Sequence, residues 1–161
     1  STTGQVVAVG GHPYVQEGSE TAVVRTFRFV AGEWMELGEG IVGNVEDTAY
    51  ITALSGDGTI VAVSNYYTGE FSLAEGEMND ALDVRVFQWN FDSRSWVQLG
   101  EDLHAFAPGE KSGYFITLSD DGKVMGMGDP GRRSEEGGGV AGHVHVFKYF
   151  ADTEAWQQIG P

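Results

Sequence analysis

The chain has 161 residues, 41% hydrophobic and 12% aromatic, enough for one domain with a core of its own. Acidic residues outnumber basic ones 24 to 9, and a formal charge of −15 disfavours nucleic acid and anionic membrane surfaces as partners. With no cysteine there are no disulfides and no thiolate chemistry, and no apolar run approaches the roughly 20 residues of a membrane helix.

The chain opens STTGQVVAVG (1–10), without the basic and apolar regions of a signal peptide. Its VVAV run is a candidate strand, followed by VVRTFRF (23–29) and, after a short break, EWMELG (33–38). A second set of runs follows. ITALSGDGTIVAVS (51–64) predicts a hairpin turning at Gly56-Asp57-Gly58, because glycine takes positive φ at little cost. DVRVFQW (83–89) and SWVQLG (95–100) predict the next two strands, joined by a short polar hairpin. A third set repeats the order: FITLSDDGKVMGMG (115–128), HVHVFKY (143–149) and AWQQIG (155–160).

The three sets align. VVRTFRF, DVRVFQW and HVHVFKY are spaced by 60 residues without gaps, and Trp34, Trp96 and Trp156 recur at spacings of 62 and 60. The opening decapeptide matches SGDGTIVAVS, so Ser1 aligns with Ser55, at the end of a first strand that the first set does not contain. In DVRVFQW, Val84, Val86 and Gln88 alternate with Arg85, Phe87 and Trp89, so both faces of the sheet carry apolar residues. A sheet of that kind needs a neighbour on each side. The expected fold is therefore all-β: a β-propeller segment of four-stranded antiparallel blades. Eleven strands, about 2.75 blades, are predicted, with a partial blade at 1–38 and blades at 49–100 and 113–160. A β-sandwich would lack the period, and a solenoid of four-stranded turns ranks lower still.

LSGDGTIVAVS, LSDDGKVMGMGDPG, GHVHVFKY and SWVQLGEDL resemble FG-GAP-like propeller repeats over nearly the whole chain. The resemblance implies a propeller used for binding or adhesion in a secreted or cell-surface protein of marine bacteria or diatom-like algae. The calcium loop of integrin-type repeats, D-x-D/N-x-D-G, is not reproduced. Ser55-Gly56-Asp57-Gly58 and Ser119-Asp120-Asp121-Gly122 offer too few alternating carboxylates.

Four-stranded meanders put the long connections (65–82, 129–142, 38–48 and 100–113) at one end of the sheets. That end is the expected ligand face, with His12, Tyr14, Tyr66, Tyr67, His104, Phe106, Arg132 and Arg133 on it. Flat rings beside histidine or arginine suit a protein or glycan partner. Glu75, Glu77, Asp80 and Asp83 are weak calcium candidates in a loop better read as solvated acid. His143 and His145 form an H-x-H pair on one strand face, but the repeat aligns His145 with Arg25 and Arg85, which argues against a metal. The recurring tryptophans are expected to pack rather than stack on a ligand. No G-x-S-x-G occurs, and Gly137-Gly138-Gly139 opens no helix. The expectation is a non-catalytic module for binding, adhesion or assembly that needs no cofactor. The alternatives are a structural subunit docking by its open blade edges and an enzyme with its site at the propeller mouth. The unfilled first blade further suggests an excerpt of a longer chain, or a protomer whose ring other subunits complete.

Overall fold

A computed structural model describes residues 1–11, 22–42, 47–67, 84–104, 113, 115–129 and 142–160. Among them are twelve strands and no helix, in three four-stranded antiparallel sheets.

Sheet 2 shows the plan in full. β5 (Asp47–Leu54), β6 (Ile60–Tyr67), β7 (Val84–Asn90) and β8 (Ser95–Gln98) pair in chain order as a meander. Sheet 3 repeats it with β9 (Phe115–Leu118), β10 (Val124–Asp129), β11 (His143–Phe150) and β12 (Ala155–Gln158). Sheet 1 has β1 (Val6–Gly10), β2 (Ala22–Val30), β3 (Glu33–Glu36) and the two-residue β4 (Ile41–Val42). There β3 and β4 both pair with β2, so they are one outer strand in two pieces. This is why twelve strands stand where eleven are expected. Gly38, at φ +72°, breaks the outer strand; Gly100, at φ +80°, does the same in sheet 2, where Leu103 rejoins Val84 as an isolated bridge. Among the described residues β1 pairs with β2 alone, so sheet 1 has no counterpart of β5 and β9, as the alignment of Ser1 with Ser55 predicts.

The registers place Ile60 and Ala62 with Val86 and Val84 on one face of sheet 2, and Val61 and Val63 with Phe87 on the other. The first face packs on Met125, Met127, Phe147 and Trp156 of sheet 3, and the second on Val24 and Ile41 of sheet 1. The predicted alternation of β7 is thus realised, and β6 is buried on both sides: Ile60, Val61, Ala62 and Val63 are all buried.

Tryptophans join the sheets. Trp96 of sheet 2 donates its indole N–H to Thr26 Oγ1 (2.8 Å) and the Leu37 carbonyl (3.2 Å) of sheet 1. Trp156 of sheet 3 donates to the Leu99 carbonyl of sheet 2 (2.8 Å). Each leans on an aromatic of its own sheet, Trp89 and Tyr149 respectively, with ring centroids 5.4 Å apart. Trp34 leans on Phe29 in the same way but is 48% exposed, so the expectation of a packed tryptophan holds for two of the three positions.

Candidate functional site

A meander has two ends, and here they differ chemically. At one end lie the short turns that join first to second strands. The Asp57 carboxylate accepts from the Ser55 hydroxyl (2.8 Å), the Thr59 N–H (2.9 Å) and the Thr59 hydroxyl (2.8 Å). Asp121 likewise accepts from the Ser119 hydroxyl (2.6 Å) and the Lys123 N–H (3.0 Å). Burial raises the Asp57 pKa, but the hydrogen bonds from Thr59 and Ser55 outweigh it and hold the carboxyl below its ordinary value. The Ser119 hydroxyl and then the Lys123 N–H lower Asp121 in the same sense. These carboxylates are committed to their own turns as charged acceptors, which suits them poorly to proton transfer at neutral pH.

The turns also hold one another. The Gly56 N–H donates to the Asp120 carbonyl (2.8 Å), and the Thr2 N–H donates to the Gly56 carbonyl (3.0 Å). Serines fix the equivalence: Ser1, Ser55 and Ser119 each accept, through Oγ, the N–H five residues on, at 3.0, 2.9 and 2.9 Å. Gly58 and Gly122 take positive φ there, as the Asp-Gly pairs predict. At this end the successive turns are therefore tied together through their backbones.

The long connections leave from the other end. Of the residues expected on that face, His104 is described and exposed. Tyr66 and Tyr67 belong to β6, paired with Ala49 and Asp47, and not to a loop as expected, because β6 continues to the sheet end. His12, Tyr14, Phe106, Arg132 and Arg133 lie outside the described residues, as do Glu75, Glu77, Asp80 and Asp83. Among the described residues no three of His, Asp or Glu gather as a metal site. His143 and His145 do share a face of β11, with ring centroids 6.0 Å apart, and His145 pairs with Met127 in the register that pairs Arg85 with Val63.

A cleft of about 400 Å³ runs along β1. Val6, Val7 and Ala8 line one side, Thr52 and Leu54 of β5 the other, with Ser1 and Thr2 at its end. It occupies the place that β5 and β9 fill in the other sheets. Its side chains offer hydroxyls and aliphatic groups but no acid or base.

Comparison with protein-family models gives no match, and comparison with curated proteins gives no significant one. Among solved structures the fold is similar to the crystal structure of a "putative 6-phosphogluconolactonase" from Bacteroides fragilis, with a TM-score of 0.52 and 16% sequence identity. The likeness covers 84% of this chain and 31% of that one, so this chain spans less than a third of its neighbour's length. At such identity the likeness is one of fold. The neighbour is described as an enzyme, which stands against the expectation of a non-catalytic module for binding, adhesion or assembly.

Proposed function

We propose that the three sheets are blades of a β-propeller, and that the protein is an enzyme acting on a small uncharged lactone or ester at the end where the long connections emerge. The observation that carries this is the contrast between the two ends. One has Asp57, Asp121 and backbone groups of the first turns held in hydrogen bonds, whereas the other carries His104 and the tyrosines that end β6. The neighbour's description as a phosphogluconolactonase supports the reaction class. The charge of −15 favours a neutral substrate over a phosphorylated one. In hydrolysis of a lactone, water adds to the carbonyl while a base takes its proton, and the ring oxygen leaves as a hydroxyl. An imidazole suits the base role at neutral pH, and His104 is assigned to it. FG-GAP-like repeat character and a secreted or cell-surface location belong to the same proposal.

The test is turnover of a panel of neutral and phosphorylated aldonolactones and simple esters. Neutral lactones are expected to react fastest, and His104→Ala to lower kcat/KM by about 100-fold with the fold retained. A wild-type protein that turns over no member of the panel overturns the reading.

A further inference from the structure

Each internal junction between sheets is built from the same parts. A sheet lays its second-strand valines or methionines and its outer-strand tryptophan on the preceding sheet, and the tryptophan N–H reaches a carbonyl there: Leu37 in one case, Leu99 in the other. The preceding sheet's turn donates an N–H to the following turn, Thr2 to Gly56 and Gly56 to Asp120. The following turn's glycine sits against the preceding sheet: a Cβ on Gly58 would lie 2.5 Å from Val6, and one on Gly122 would lie 2.6 Å from Ile60. The glycine after the preceding outer strand is covered in the same way, Gly38 by Trp89 and Gly100 by Trp156.

The outer faces of sheets 1 and 3 carry the two halves of a third such junction. On sheet 1, Val7, Val9 and Trp34 hold the places of Val61, Val63 and Trp96, and are 38%, 54% and 48% exposed. On sheet 3, Val144 and Ile159 hold the places of Val84 and Leu99, and are 68% and 39% exposed, against 0% and 9% for their counterparts. A Cβ at Gly4 or Gly160, which match the covered Gly58 and Gly100, would meet nothing within 4 Å. The parts named on one face are those that meet the parts named on the other at the two internal junctions.

We infer that a second copy of this chain docks head to tail, the outer face of sheet 1 in one copy packing on the outer face of sheet 3 in the next. The contact repeats the internal junctions. The Trp34 N–H donates to the Ile159 carbonyl of the next copy, and the Asp120 N–H of that copy donates back to the Thr2 carbonyl. The interface is heterologous, since different faces meet, so it grows into a closed ring or an open stack according to the rotation per copy. Its apolar valines exclude water, and its two hydrogen bonds fix the register. The interface is independent of any catalytic role.

Because the faces differ, each can be blocked separately. Wild-type chain at about 100 µM, measured by light scattering after gel filtration, is expected to run at a multiple of 17.4 kDa. Val144→Lys blocks one face and Val9→Lys the other. Both sites are exposed, so circular dichroism should be unchanged, and each variant alone is expected at the single-chain mass. Mixed together, the two variants retain one good face each and are expected to form a 1:1 pair and nothing larger. Trp34→Phe, which keeps a ring but loses the N–H, should weaken association about tenfold. A wild-type chain that stays at 17.4 kDa overturns the proposal. So does a mixture of the blocked variants that does not pair, or a single blocked variant that still assembles.

Discussion

Asp57 and Asp121 show how a single carboxylate fixes a turn. Each sits two residues after a serine and two before the residue whose N–H it accepts, so it bridges the turn it starts. Both pKa values are lowered in the folded chain, so the stabilisation is present above the unfolded pKa of about 3.9 and is lost as pH falls through the folded values. The double variant Asp57→Asn, Asp121→Asn should therefore be less stable at pH 7 and show a flatter decline between about pH 4 and pH 2. Urea melts across that range check it, and an unchanged slope would mean the carboxylates do not cap. The other hairpins make an opposite demand. Arg94 and Glu154 close their turns at φ 54° and 52°, where a β-carbon is strained. Arg94→Gly and Glu154→Gly should each stabilise by up to about 1 kcal/mol in the same melts.

At the scale of the element, β6 and β10 show what the stack of sheets requires. β6 has neighbours on both faces, so its apolar run from Ile60 to Val63 lacks the polar half of an ordinary surface strand. β10 has a sheet on one face, which Met125 and Met127, both fully buried, fill; Gly126 between them leaves room for Thr117 of β9. Met127→Ala should cost about 2–5 kcal/mol, since the cavity lies between two sheets that cannot close it without shifting both. The same change at the exposed Val144 should cost under about 0.5 kcal/mol in the isolated chain. Thermal melts of the two variants, taken at low protein concentration, test whether the third junction is empty in one chain. The turn glycines give a second contrast. Gly58→Ala meets Val6 as well as a φ of +73°, whereas Gly4→Ala meets only its φ of +67°. The first should be destabilising by at least about 2 kcal/mol and the second by about 1 kcal/mol.

For the whole molecule the dominant quantity is the charge of −15 on 161 residues, which makes the folded state repel itself. Among the described residues the ion pair is Arg25–Glu36 on the exposed face of sheet 1, so specific pairing relieves little of this field. Raising ionic strength from about 0.01 to 0.5 M should raise Tm, by roughly 3 °C for each kcal/mol of repulsion screened. A salt-independent Tm would mean that the acidic residues lie too far apart to interact.

The amino-acid sequence determined the repeat, the strand order, the turn sites and the alternation of β7. All of these rest on local chemistry: an Asp-Gly pair or an alternating run has the same meaning wherever the chain places it. Even the two extra residues between Trp34 and Trp96 are visible as a longer hairpin, four residues at 91–94 against two at 31–32. The recurrence of the three tryptophans at one place in each set could not say which were buried. Trp96 and Trp156 are covered and Trp34 is not, because burial depends on whether a second sheet stands opposite, and that partner lies about 60 residues away in the chain. The same holds for the site. The residue types at the long-connection end were readable one by one. Only the tertiary structure showed that Asp57 and Asp121 at the opposite end are spent on turns, since hydrogen-bond partners are fixed by the folded backbone and not by composition.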